Sequence, residues 1–246
     1  MKVLVDYEKI FDLYNEDVLQ GSRGFCIIRD KVIKKFYFHG KDEKDIVDLS
    51  MFKSDYISFP KYYLYNKDCQ SEVVGEVMPY YDKRSIDWIM DKNSSIELFI
   101  KNYEKIIQEM KSFLEVKMID LCCPNILYNE KTGFSLIDTM EWKVKSNGNF
   151  YKYNKGHLDY EITCLLVLNL LGITSFVIRD PEFVSKLRKY NSGKKLLELL
   201  YSFFDEDKCV FLKIIDLYQN ILEEQGEKSL KTIGDMQNYT KILKND

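Results

Sequence analysis

Asp120 and Asn125 stand five residues apart in MIDLCCPNILYNEKTGFSLIDT, residues 118–139, and Asp138 lies near the end of the same stretch. Between them run a short apolar segment, ILY, a polar turn from Asn129 to Gly133, and a second apolar segment, FSLI. Carboxylate and carboxamide oxygens are hard ligands of the kind that hold Mg²⁺, and a further carboxylate can orient an attacking hydroxyl. Those are the groups that phosphoryl transfer requires of a protein. Taken singly, Asp120 caps a turn and Asp138 ends a strand. Taken together, in this order, they read as a metal-and-acceptor site. Pairing ILY with FSLI in a hairpin would bring Asn125 close to Asp138.

Upstream, LQGSRGFCIIRDKVIKKF (residues 19–36) places Gly21 and Gly24 just before a β-branched run. Glycines there let backbone amides approach a phosphate with no side chain in the way, although such a pair on its own is an ordinary hairpin turn. Strand alternation puts Val32, Lys34 and Phe36 on one face and Ile33, Lys35 and Tyr37 on the other. Only one of the two lysines can therefore face a ligand, and a lysine held under a glycine turn beside apolar residues is suited to phosphate oxygens.

These residues need elements to position them. Up to about residue 80 the runs are short and rich in β-branched and aromatic residues (FCII, VIKKFYF, KYYLY, EVVGEVM), which predicts a small, mostly antiparallel sheet. One helix is predicted within it, from Asp42 to Lys53, on the spacing of Ile46, Leu49 and Phe52. From Ser94 the period becomes helical: Ile96, Phe99, Tyr103, Ile106, Met110 and Phe113 recur three or four apart behind the caps Asn93, Ser94 and Ser95. A buried helix is predicted over Leu158 to Leu171, and amphipathic ones near Lys194 to Phe204 and Cys209 to Glu224. The organisation expected is a nucleotide-binding sheet lobe over 1–78 and a helical lobe over 79–246 with the catalytic loop and metal site. Pro79 lies at the connector, and a ligand cleft between lobes follows from that layout.

Composition removes other classes. A formal net charge of -3 from nearly balanced acids and bases gives no global field for nucleic acid or an anionic membrane. The longest apolar run, around CLLVLNLLG, is too short to span a bilayer, and the acid-containing start reads as neither signal peptide nor anchor. Six cysteines without paired spacing and only two histidines, His39 and His157, give little basis for a zinc site and point to a reduced, cytoplasmic protein. Adjacent Cys122 and Cys123 are read as small loop-filling residues, with oxidation as the alternative. Trp88 and Trp142 are expected to pack.

The order of these motifs resembles that of the protein-kinase-like superfamily, which includes the aminoglycoside and choline kinases. Leu19 to Gly24 resembles its glycine-rich loop and Val32-Ile33-Lys34 its ATP-lysine strand. Val74 to Tyr81, with Glu76 and Met78, resembles the hinge that binds adenine through its backbone. Met118-Ile119-Asp120 with Asn125 resembles the catalytic loop. Asp138-Thr139-Met140 stands in the place of the Asp-Phe-Gly element, and Asp159 resembles the anchoring aspartate of the large lobe. The resemblance, over roughly residues 19–172, implies an α+β, bilobal kinase-like fold, ATP and Mg²⁺ as cofactors, and Asp120 and Lys34 as catalytic residues. It implies Gly21, Gly24, Lys34, Glu76 and Met78 as nucleotide-binding residues and Asn125 and Asp138 as metal ligands. The implied activity is transfer of the γ-phosphate to a hydroxyl of a protein or small-molecule acceptor.

The chain departs from the pattern at Met118-Ile119, where a His-Arg pair is expected, at Cys122 in place of lysine, and at Thr139-Met140. About twenty residues separate Asp138 from Asp159, with no Ala-Pro-Glu element. The helical acid expected opposite Lys34 is Asp45 or Glu43. These departures support the alternative of an inactive pseudokinase serving as a binding or regulatory module.

Overall fold

The short β-branched runs before residue 80 form a six-stranded sheet. Strands β1 (Val3–Val5), β2 (Val18–Gly21), β3 (Gly24–Arg29), β4 (Val32–Asp42), β5 (Tyr62–Asn66) and β6 (Glu72–Pro79) lie in the order β1-β5-β6-β4-β3-β2. The structure, a computed structural model, describes residues 2–6, 18–21, 24–29, 32–86, 93–206 and 211–245. Adjacent strands are antiparallel except β1 and β5, which are parallel. The interior position of β6 accounts for its composition: all residues from Val73 to Met78 are buried, as expected of a strand covered on both faces. Leu64 stands opposite Gly75 and Tyr65 opposite Val73, so Val74 is an extra residue of β6 against β5; against β4 the excess lies on β4, where residues 37–40 separate Phe36, opposite Gly75, from Lys41, opposite Val73. One face carries Leu64, Val74 and Val77, packed by Val3 and Val5. The other carries Tyr63 and Val73, packed by Ile46 and Tyr65.

The helix expected over 42–53 does not form. Only a 3-10 turn, Glu43–Asp45, is present, and the chain is irregular to residue 61. Local and tertiary partners take the groups a helix would have used. Asp42 accepts from Lys44 N, and Asp48 accepts from both Ser50 N and Ser50 Oγ. The Tyr63 hydroxyl donates to Val47 O at 2.9 Å and accepts from Leu49 N at 3.1 Å. Aspartate and serine side chains favour such turns over helix interiors, and here the sheet's tyrosine completes the competition.

The chain groups into two compact units. The first comprises 1–83, 115–120 and 135–148, and the second 84–114, 121–134 and 149–246. The first unit adds to the sheet a small ladder of β8 (Val116–Lys117) with β11 (Lys143–Val144). Strand β7 (Arg84–Ser85) pairs with β9 (Ile126–Asn129) in the second unit. The hairpin from β9 to β10 (Gly133–Leu136) is the one expected from ILY and FSLI. Asn129 Oδ1 accepts from Lys131 N and Thr132 N, and Gly133 completes the turn at φ +78°, a conformation that favours glycine.

Helix α1 (Ile96–Met110) begins where Ser95 accepts from Leu98 N, and it buries Ile96, Phe99, Tyr103, Ile106 and Met110, the residues whose spacing predicts it. Helix α2 (Tyr151–Cys164) starts seven residues before the expected Leu158 and continues as a π-helical turn, Leu165–Leu170. It buries Asn154 and Asp159 beside Leu158, and that polar interior hides the helical period. Gly172 at φ +59° follows its end, where Lys244 Nζ donates to Leu171 O and Gly172 O. Helices α4 (Asn191–Glu206) and α5 (Phe211–Gln225) match the two amphipathic predictions. Two helices lie outside the expectation. Helix α3 (Pro181–Arg188) starts on the capping pair Asp180-Pro181. Helix α6 (Ile233–Asn245) starts where Asp235 accepts from Thr232 N and Thr232 Oγ1 accepts from Asp235 N.

In this unit the Asp159 carboxylate is buried and receives hydrogen bonds from the Tyr103 hydroxyl of α1 and from Lys155 one turn back on α2. Burial, then the bond to Asp159, pushes the Tyr103 hydroxyl pKa up. Removing the carboxylate strands both donors. Asp159→Ala is expected to lower the unfolding free energy by about 3 kcal/mol, and Asp159→Asn by less, both read from urea unfolding midpoints.

Candidate functional site

The antiparallel ladder sets Val116 beside Val144 and Lys117 beside Lys143. The chain leaving β8 toward Asp120 and the chain entering β11 from Asp138 are therefore at the same end of that ladder, in the first unit. Both aspartates have left-handed backbones, φ 61° at Asp120 and φ 60° at Asp138. Among the described residues the only other non-glycine with positive φ is Asn147. Aspartate tolerates this conformation better than most residues, although glycine is the residue it favours.

Tertiary bonds hold the Asp138 backbone in place. Leu136 N donates to Tyr56 O and Leu136 O accepts from Ser58 N, both at 2.8 Å, and the buried Thr139 hydroxyl donates to Ser58 O at 3.3 Å. Trp142, buried as expected, meets Phe59 edge to face at 6.0 Å. Thr139 thus ties the segment down through its hydroxyl, and Asp138 itself is half-buried.

Gly21 and Gly24 form the last pair of the β2–β3 ladder, while Ser22 and Arg23 between them, like Trp88, lie outside the described residues. Lys34 stands opposite Ile27 of β3 and Val77 of β6, and Lys35 opposite Cys26 and Glu76. Glu76 and Met78 lie within β6, where Lys35 and Tyr63 flank Glu76 and Ile33 faces Met78. The segment expected as a hinge is thus strand as far as Pro79, and Glu76, 1 % exposed, is a buried carboxylate in the middle of a sheet. Of the two acids expected opposite Lys34 on a helix, Glu43 bonds instead to Lys2 Nζ and the Tyr65 hydroxyl.

Asn125 belongs to the second unit, at the end of a 3-10 turn, Cys123–Asn125, with its N–H donating to Cys122 O at 2.8 Å. Glu161 of α2 steadies that turn: its carboxylate accepts from Cys123 N at 3.1 Å. Ser85 Oγ donates to Cys123 O at 3.0 Å. No local pattern in the sequence marks Glu161 or Ser85 for this role, since both act across long loops. Cys122 and Cys123 are not joined in a disulfide.

The chain matches no protein-family model and no curated protein. The chemistry of the site therefore rests on its own donors. These are carboxylate oxygens, which suit Mg²⁺ rather than a thiolate- or imidazole-preferring metal. Among the described residues no three His, Cys, Asp or Glu side chains cluster to hold an ion. A donor set of one or two carboxylates fits a magnesium ion that arrives with phosphate oxygens of its own.

Two cavities lie elsewhere. One of about 130 Å³ in the first unit is lined by Glu76, Tyr63, Lys41, Thr139, Glu141 and Trp142, among others. The other, about 780 Å³, lies in the second unit beside α3, α5 and α6 and is rimmed by Lys186, Lys189, Lys228 and Lys231. Tyr239, which also lines it, is mostly buried, and burial pushes its hydroxyl pKa up to about 12. It brings together none of the residues with phosphotransfer spacing. Among the described residues no helix is long and apolar enough to cross a membrane.

Two measurements follow from this geometry. Asp138→Gly is expected to leave the unfolding free energy within about 1 kcal/mol of wild type, whereas Asp138→Val, forced into a left-handed backbone, costs about 2 kcal/mol; denaturant melts separate the two. Lys83 donates to Ser135 Oγ at 2.7 Å, and burial pulls its pKa down to about 8. The folded protein then releases this proton before the unfolded chain does. The penalty of the buried charge is present below pH 8 and fades as pH rises toward the ordinary 10.5. Lys83→Met removes that contribution, so a rise in wild-type stability between these pH values, relative to the variant, is the expected result.

Proposed function

We propose that the protein is an ATP-dependent phosphotransferase of the protein-kinase-like type, acting on a hydroxyl of a protein or small-molecule acceptor. The observation that carries this reading is the coincidence at Asp120 and Asp138. The two carboxylates selected by spacing both keep a left-handed backbone, and both are carried by segments that run from the same end of the β8–β11 ladder. In this role Asp120, exposed at the loop, orients the acceptor hydroxyl and takes its proton as the oxygen attacks the γ-phosphorus. The bond from the γ-phosphorus to the bridging oxygen breaks, and ADP leaves with that oxygen. Asp138, with Asn125 as the second ligand that the resemblance implies, would hold Mg²⁺, which neutralises phosphate charge. A lysine of β4 steadies the remaining phosphates, and Gly21 and Gly24, paired at the end of the β2–β3 ladder, offer backbone amides without side chains of their own.

A second reading, a pseudokinase, is favoured by one specific observation: the stretch 42–53, where a helix would carry an acidic partner for the lysine, is irregular. Asp120→Asn separates the two. In the active reading this variant keeps the thermal shift produced by millimolar Mg-ATP but transfers labelled phosphate, to itself or to a panel of hydroxylated metabolites, about 10²–10⁴-fold more slowly than wild type. Equal and negligible transfer by both proteins refutes the active reading, and the absence of any shift in wild type refutes nucleotide binding as well.

A further inference from the structure

Glu76 is the buried acid of the six-stranded sheet, 1 % exposed in the interior strand β6. A carboxylate so placed is strongly disfavoured as an ion unless a cation and hydrogen-bond donors accompany it. Its neighbours across the two ladders are Tyr63 on β5 and Lys35 on β4. Residues directly opposite one another in an antiparallel pair share a face and lie roughly 5 Å apart at Cβ. Tyr63 is already committed to Val47 and Leu49 of the irregular stretch, which leaves Lys35 as the cation in direct register with Glu76.

The two faces of this sheet differ in what covers them. Lys34 stands opposite Val77, and Val77 belongs to the apolar cluster of Leu64 and Val74 under Val3 and Val5. The face of Glu76 and Tyr63 instead lines the cavity shared with Thr139, Glu141 and Trp142, the residues that directly follow Asp138. By register, Lys35 is therefore placed on the face of the sheet that carries Glu76 and Tyr63. Lys41 also lines that cavity, but its partner in the ladder is Val73, beyond the bulge, rather than Glu76.

Resting on the phosphotransferase reading, we propose that Lys35, not Lys34, is the phosphate-binding lysine, and that Glu76 on the neighbouring strand is the positioning residue that holds it. A strand acid thus replaces the missing helix acid. The interior position of β6 fixes the backbone of Glu76 without any helix over 42–53.

The test uses the full chain with Lys34→Met, Lys35→Met, Lys41→Met and Glu76→Gln, alone and with each lysine change combined with the glutamate change. Without ligand, urea unfolding reads the coupling of each lysine to Glu76. With Mg-ATP, titration by thermal shift reads affinity. The expected result is coupling of Glu76 to Lys35 alone, with binding at least about tenfold weaker in Lys35→Met and in Glu76→Gln, no further loss in their combination, and wild-type binding in Lys34→Met. Coupling of Glu76 to Lys34 or Lys41, or loss of binding in Lys34→Met with Lys35→Met unaffected, overturns the proposal. If wild type itself gives no Mg-ATP shift, the phosphotransferase reading fails and the phosphate role of Lys35 falls with it, while the coupling still decides whether Glu76 and Lys35 form a pair. Should Lys35→Met fail to fold, Lys35→Gln takes its place in both measurements.

Discussion

The left-handed backbone at Asp138 is the constraint on which the first unit's candidate chemistry depends. An isolated aspartate in a flexible loop would leave that conformation for a more favourable one at a gain of about 1 kcal/mol. It is kept because the residues on either side have no freedom to follow. Leu136 is bonded through both its amide and its carbonyl to residues 56 and 58, Thr139 reaches Ser58 O, and Trp142 is locked against Phe59. Each of these bonds contributes about 1 kcal/mol, so their sum comfortably holds one unfavourable dihedral. Thr139, buried and directly after Asp138, supplies one of these anchors through a hydroxyl bonded to a backbone carbonyl.

The same economy of means is seen in the sheet. Where a helix would ordinarily pack, the stretch 42–53 spends its backbone groups on Asp42, Asp48 and the Tyr63 hydroxyl. The cavity over that face is small, about 130 Å³, and Glu76 sits at it from an interior strand. A carboxylate on a strand flanked by two hydrogen-bonded neighbours has far less freedom than one on a mobile helix. In a kinase-like reading, the pairing that can elsewhere be made and broken by moving a helix would here be built into the sheet.

The second unit is organised around buried polar groups on α2. Asp159 gathers Tyr103 and Lys155, while Glu161, on the adjacent turn, steadies the loop that ends at Asn125. One helix therefore serves both the packing of α1 and the loop that carries a candidate ligand. The aromatic group of Phe99, Tyr103, Tyr128, Phe134 and Phe211, with ring centres 4.6–6.0 Å apart in edge-to-face and tilted pairs, fixes α1 against the β9–β10 hairpin and α5.

The sequence by itself determined the elements whose stability is local. The β-branched runs became strands, the 96–110 spacing became α1, and the polar turn before Gly133 became a hairpin, because period and turn chemistry act within a few residues. It also singled out Asp120, Asn125 and Asp138 by type and spacing. Only the tertiary structure decided the rest. Residues 42–53 carry a helical spacing that lost to a tyrosine fourteen or more residues away in sequence, and α2 was half-hidden because its interior includes Asn154 and Asp159. Which β4 lysine shares a face with the buried acid depends on the register of β6, and a one-residue slip would reverse the answer. Pairing between distant strands sets that register, and no local pattern in VIKKF contains it.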